Sequence, residues 1–158
     1  MKFLTDVELR KILQFAPDPE AQTTDGRLIF TLMRIEQILG EGKVAVSPEG
    51  SEDARRVKRP ARGSTGDESD AWWELGEGSY LITYNEKLDV PEDGILVIQP
   101  HASAMKNGLW HPTLFVRDWD RDMEAVLMVV SVRSLRIQEN SPVSVGYIMA
   151  PAAPQNSD

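Results

Sequence analysis

GILVIQPHASAMKNGLWHPTLFVRDWD, residues 94–120, is the stretch from which the fold is read. Its first half is an apolar run, Ile95–Leu96–Val97–Ile98, closed by Pro100. A short polar segment follows, from His101 to Gly108. A second apolar run, Thr113–Leu114–Phe115–Val116, opens onto Arg117–Asp118–Trp119–Asp120. Both runs are short, β-branched and bounded by Pro and Gly, the pattern of buried strands. Side chains capable of chemistry therefore fall at strand ends, where a rigid scaffold places them well.

Composition narrows the possible functions. The chain has 158 residues, 41% hydrophobic and 27% charged, enough for one soluble domain with a real core. No stretch approaches the ~20 apolar residues of a membrane span. The opening MKFLTDVELRK turns polar after four residues and lacks the apolar region of a signal peptide, so a cytoplasmic location is expected. With no cysteine, disulfides, thiolate nucleophiles and the zinc-dependent deaminase signature are excluded. Two histidines, His101 and His111, are too few for a multi-histidine metal site in one chain. A net charge of −8 argues against general nucleic-acid binding and leaves small anions as ligands where basic residues converge.

Upstream, Thr5-Asp-Val-Glu8 has the pattern of a capping box, and Val7, Leu9, Ile12, Leu13 and Ala16 predict a helix stopped before Pro17. Asp18–Gly26 carries no clear order signal. Leu28, Leu32, Ile35 and Leu39 recur at spacings of four, three and four and predict a helix over Arg27–Leu39, with Gly40 at its C-terminal cap. Residues 1–41 are thus expected to be an N-terminal helical extension, and 42–150 a β domain. Gly42–Pro48 alternates like a short strand. Glu49–Asp70 has the composition of a mobile basic loop. Within it, Arg55–Arg62 concentrates positive charge and Gly63–Ser64–Thr65–Gly66 follows. Such a loop either cradles phosphate through its backbone N–H groups and arginines or is a solvated insert.

Ala71–Tyr84 brings Trp72 and Trp73, expected in the core or at a subunit contact, and then a strand. Downstream, Ala125–Val132 is nearly all apolar and reads as a strand covered on both faces. Ser134–Asn140 reads as a polar turn region containing a short alternating piece. Pro142–Met149 alternates as a final strand, and residues 151–158 read as a disordered tail. Many short strands at regular spacing predict a jelly-roll-like β-barrel with helices at its N-terminal end.

The order of these pieces resembles the dUTPase and dCTP deaminase superfamily, roughly from Leu75 to Met149. Pro100–His101–Ala102–Ser103 stands where that family has Gly-Arg-Ser-Ser. Gly108–Leu109 matches its Gly-Leu, and Asp118 falls on its strand-end Asp. Ile38–Pro48 is similar to the start of dCTP deaminases. Asn85–Glu86 and Pro91 fit the spacing of a Leu-Glu-x-x-x-x-Pro segment with a structural role. The resemblance implies a mainly β, dUTPase-like distorted jelly-roll barrel, a homotrimer, and hydrolysis of a deoxynucleoside triphosphate, dUTP, to the monophosphate and pyrophosphate, with Mg2+ carried on the substrate phosphates.

By the same resemblance, Asp118 is the catalytic base that activates water. His101, Ser103, Lys106 and Gly108 line the phosphate site, and Glu124 closes the acidic motif. The family's Gly-Ser-Thr-Gly phosphate clamp lies at its C-terminus; here Arg62, Ser64 and Thr65 are expected to replace it. Several positions depart from the pattern. His101 replaces a phosphate-gripping Arg, and a neutral imidazole is a poor substitute for a guanidinium. Ala102 replaces a Ser, Asp120 and Arg121 replace Gly and Tyr, and the Gln of the last motif is missing. Leu127–Met128–Val129–Val130 lacks the carboxylate that the deaminase branch uses. The alternatives are a dCTP deaminase-related protein and a catalytically silent nucleotide-binding or oligomeric member. Asp118 and Asp120 would then only pair with Arg117 and Arg121, and His111 is a packing or surface residue.

Overall fold

The computed structural model describes residues 1–63, 71–119 and 125–151. In chain order its strands are β1 (Lys2–Phe3), β2 (Leu13–Phe15), β3 (Thr23–Thr24), β4 (Arg27–Leu39), β5 (Arg55–Arg59), β6 (Arg62–Gly63), β7 (Ala71–Tyr84), β8 (Lys87–Leu88), β9 (Ile95–Pro100), β10 (Leu109–Trp110), β11 (Leu114–Val116), β12 (Val126–Gln138) and β13 (Pro142–Ala150). Short helices α1 (Asp6–Ile12), α2 (Pro19–Gln22) and α3 (Ala102–Lys106) interrupt them. The main sheet is antiparallel, along the path β10–β12–β7–β4–β13–β9–β11. β2 and β8 pair separately.

The main sheet curls into a half-barrel because β4 serves two neighbours in succession. Its first part, Leu28–Thr31, pairs with β13, and from Leu32 onward it pairs with β7. A bulge between Leu32 and Arg34 falls at that change, and bulges bend and twist the strand that carries them. Inside the curl sit Phe30, Leu32 and Ile35 of β4, Tyr80 and Ile82 of β7, Leu96 and Ile98 of β9, Met128 and Val130 of β12, and Ile148 of β13. The mainly β architecture expected from the sequence is present.

β4 is the segment expected to be a helix, and the bulge explains why. Leu28, Phe30 and Leu32 are buried at the strand period of two. The extra residue, Met33, then shifts the phase, so that Ile35 returns to the buried face three residues after Leu32. A two-residue period interrupted by one insertion mimics a helical four-three-four spacing. Gly40 adopts φ +82 beyond the end of this strand, not beyond a helix.

Other local expectations change in the same direction. Thr5 and Glu8 do form the reciprocal capping box of α1. Bonding to Lys2 and Thr5 lowers the Glu8 carboxyl to about 2. The helix stops at Ile12, and Leu13–Phe15 leaves it as β2. Asp18–Gly26, without an order signal, contains α2 and a hairpin from β3 to β4. The hairpin turns at Asp25 (φ 54) and Gly26 (φ 68), two positive φ values that suit a type I′ turn. Gly42–Pro48 is not a strand; Val44 and Val46 are fully exposed, and only Lys43 bridges to Glu52. Arg55–Arg59, expected in a loop, is β5, paired along Ile35–Leu39. Ser134–Gln138 continues β12 past a second bulge, and the turn comes at Asn140 (φ 62). The outer face of β12 is open at Leu127, which is 46% exposed.

Candidate functional site

β9 hands the chain to α3 at Pro100. The His101 N–H donates to the Val143 carbonyl at 2.9 Å, fixing the start of α3 against β13. His101 caps the helix. Its Nδ1 accepts from the Ser103 N–H at 3.3 Å and lies 2.7 Å from the Ser103 hydroxyl. Because the backbone N–H can only donate, Nδ1 is the acceptor and the ring proton sits on Nε2. Asn107 donates its side-chain amide to the Ser103 carbonyl at 2.8 Å. Lys106 is exposed on the last turn.

Gly108 follows with φ +82, where a side chain is strained. Its carbonyl accepts from the Ser131 N–H at 2.8 Å and the Ser131 hydroxyl at 3.1 Å. A Cβ there would sit 2.5 Å from Val132 Cγ1. The segment from His101 to Gly108 is thus tied to β13 at one end and to the β12 bulge at the other.

Asp118 belongs to a different place. It is exposed just beyond β11, followed by the buried Trp119. The Trp119 ring stacks on Phe30, with centroids 5.4 Å apart and planes 13° apart, and anchors this strand end in the core. β11 pairs antiparallel with β9, Val116 opposite Leu96. Asp118 therefore stands near the start of β9, and His101, Ser103 and Lys106 stand beyond its end. At ~3.3 Å per residue, that is roughly 20 Å within one chain. The expected site residues form two groups. Asp120, Arg121 and Glu124 lie outside the described residues, as do Ser64 and Thr65.

Arg62 joins a third feature. It pairs with Trp72 across β6 and β7, and Trp72 pairs with Gln138 across β7 and β12. The Arg136 guanidinium lies 5.1 Å from the centroid of the Trp72 ring. Trp73, on the other side of β7, is buried and donates its indole N–H to the Arg59 carbonyl at 2.7 Å. Arg59, Arg62, Trp72, Glu74 and Arg136 line a groove of about 370 Å³. A cavity of about 240 Å³ on the other side of Trp72 and Arg136 is lined by Ser103, Asn107 and Gln138. Sequence reasoning overlooked Arg136 because it placed residue 136 in a turn; on β12 it faces Glu74 of β7.

Two buried polar clusters were also missed. The His111 Nδ1–H donates to the Pro112 carbonyl at 2.6 Å, and Nε2 lies 2.9 Å from Ser144 Oγ, itself 2.7 Å from the Tyr84 hydroxyl. With the ring proton on Nδ1, Ser144 donates to Nε2 and Tyr84 donates to Ser144. Burial lowers the His111 pKa against the pull of Pro112, and burial raises that of Tyr84. Ser144 is fully buried, so this chain of bonds locks strands together and is not a nucleophile facing substrate. His111 is the packing histidine of the two alternatives. In the second cluster, buried Glu86 accepts from the Thr31 N–H at 2.9 Å, from the Thr31 hydroxyl and from Gln22. Glu86 holds structure, as its place in the sequence suggested.

No protein-family model matches the chain. The probable deoxyuridine 5'-triphosphate nucleotidohydrolase of Methanosarcina acetivorans is 30% identical over 154 residues, covering 90% of this chain and 85% of that protein. The chain belongs to the dUTPase family. The protein of the same description from Methanosarcina mazei is 29% identical over the same share of both chains. Among solved structures, the 2'-deoxycytidine 5'-triphosphate deaminase from Agrobacterium tumefaciens superposes with a TM-score of 0.60 at 14% identity. That likeness, over 92% of this chain and 47% of the deaminase, is one of fold, and this dUTPase-family chain spans about half of the deaminase's length.

Proposed function

We propose that this chain hydrolyses dUTP to dUMP and pyrophosphate, at a site completed by another copy in a homotrimer. The observation that carries this is the separation of the two groups in a family member: Asp118 and the α3 segment stand at opposite ends of β9, roughly 20 Å apart. Only a second copy brings an Asp118 to this chain's Ser103 and Lys106. Exposed apolar side chains at Phe115, Trp110 and Leu127 give such a copy surface to cover.

In this mechanism Lys106 and the Ser103 hydroxyl hold phosphate oxygens, Ser103 turning its proton from His101 to the ligand. Gly108 keeps the segment's backbone close. Asp118 accepts a proton from water as the water oxygen bonds to phosphorus and the bond to the pyrophosphate oxygen breaks. Among the described residues no cluster of three or more His, Asp or Glu is arranged to hold a metal. A Mg2+ ion belongs here to the substrate, bound on its phosphates. Deamination is the weaker reading, since Met128 and Val130 fill the core and Leu127–Val130 carries no carboxylate.

The experiment is pyrophosphate release from Mg·dUTP, with dCTP and ammonia release in parallel. Asp118→Asn keeps the shape but cannot take the proton, so kcat falls about 10²–10⁴-fold with binding nearly intact. A wild type that turns over no faster than this variant removes Asp118 from the mechanism. A wild type that binds nucleotide but releases neither product makes the chain a silent member.

A further inference from the structure

The groove beside Trp72 has no role in the mechanism above. Among the described residues, three guanidiniums, Arg59, Arg62 and Arg136, line it against one carboxylate, Glu74, in a chain whose net charge is −8. Among the described residues, Glu74 pairs with Arg136 alone, at 3.8 Å, on an exposed surface where such a pair contributes little. Among the described residues, no carboxylate pairs with Arg59 or Arg62. Three like charges with so little compensation among the described residues repel one another, and a polyanion relieves that repulsion. Arginine is the residue type suited to it, because its planar fork grips phosphate through two parallel bonds.

Geometry says where the anion runs. Arg62, Trp72 and Gln138 stand in one row across three strands, since directly paired residues share a sheet face. Arg136 and Glu74 form the next row on that face. Trp72 and Arg136 are the common wall of the groove and of the cavity that reaches Ser103 and Asn107. The groove's ~370 Å³ is within the range of small-molecule sites.

We infer that Arg59, Arg62 and Arg136 form a phosphate-chain site that runs past Trp72 to Ser103 and takes a di- or triphosphate. The site deepens the nucleotide reading, resting on it only for what the phosphate chain is attached to. It also supplies the guanidiniums that His101 does not.

The probe is inorganic tripolyphosphate, with Mg·dUTP and deoxyuridine beside it, titrated by calorimetry into wild type, R62Q, R136Q and K58Q. Arg62, Arg136 and Lys58 are exposed, so the variants keep their fold. Lys58 lies on β5 outside the groove and removes the same charge. Each arginine variant is expected to weaken tripolyphosphate binding about tenfold or more, the scale of a lost charge-assisted bond. K58Q stays within about twofold, as a screened surface charge should. The KM for dUTP rises with the tripolyphosphate Kd, and deoxyuridine binding is unchanged.

The site is overturned if wild type does not bind tripolyphosphate, if R62Q and R136Q bind it normally, or if K58Q loses as much as they do. Turnover of dUTP with an unchanged KM in R62Q and R136Q removes the groove and keeps the hydrolase. Loss of tripolyphosphate binding in the arginine variants of a protein that never hydrolyses dUTP supports the groove and removes the hydrolase.

Discussion

Replacing Glu86 by leucine tests how much of the fold hangs on one buried carboxylate. The leucine side chain is close to glutamate in volume, so little cavity is left, and the effect reports lost hydrogen bonds. The Thr31 N–H loses its partner inside the protein, which costs about 1–3 kcal/mol. Gln22 keeps the Ile29 carbonyl at 2.8 Å as a partner, and the Thr31 hydroxyl can rotate, so these two together add about 1 kcal/mol. Glu86→Leu is therefore expected to lose about 2–4 kcal/mol, against a typical total of about 5–15. Urea unfolding followed by tryptophan fluorescence gives the number. The pH dependence supplies an independent sign. Burial raises the Glu86 pKa above 4.5, outweighing the bonds from Thr31 and Gln22 that lower it. The folded state then holds a proton that the unfolded state has released, so the contribution is greatest below 4.5 and is lost as pH rises through the raised value. The gap between wild type and Glu86→Leu should narrow over that rise. A loss below about 1 kcal/mol, or a gap that widens, would refute the account.

Light scattering at micromolar concentration should find a homotrimer; a stable monomer counts heavily against a shared site. His111, with its pKa lowered by burial, works in the opposite direction to Glu86. The unfolded state binds the proton first, so its contribution is lost as pH falls from 6.5 through the lowered value, and His111→Asn should remove that part of the acid sensitivity of Tm. Gly108→Ala places a Cβ 2.5 Å from Val132 Cγ1 at φ +82, and a loss of about 1–3 kcal/mol is expected. Val132→Ala should rescue part of it, and no rescue in the double variant would mean that the backbone conformation alone is at fault.

The strands nearest the site were legible from their apolar pattern, continuous in Ile95–Ile98 and Thr113–Val116 and alternating in Pro142–Met149: β9, β11 and β13 lie there. β4 and the second part of β12 were not, since a bulge in each breaks the two-residue period. One bulge produced a false helix, the other a false turn that hid Arg136. The Asp25-Gly26 dipeptide is a hairpin signal that a reading of Asp18–Gly26 as a stretch without order passes over. Asp118 and Ser103 were readable as residue types, but their separation along β9 depends on the antiparallel pairing with β11, which spacing alone does not carry. Hydrogen bonds such as Tyr84 to Ser144 link residues sixty positions apart and leave no local signal.

Along β5, four of the five residues are Arg or Lys, all five are exposed, and among the described residues the strand pairs only with β4. Among the described residues no strand pairs with its other side, where the Trp73 indole takes only the Arg59 carbonyl, and such an edge is one onto which another chain can add a strand. The positive charge keeps identical edges apart and makes this protein's solubility depend on ionic strength in an unusual place. Screening by salt, or neutralisation by a polyanion lying beside Arg59, weakens that protection and favours edge-to-edge association.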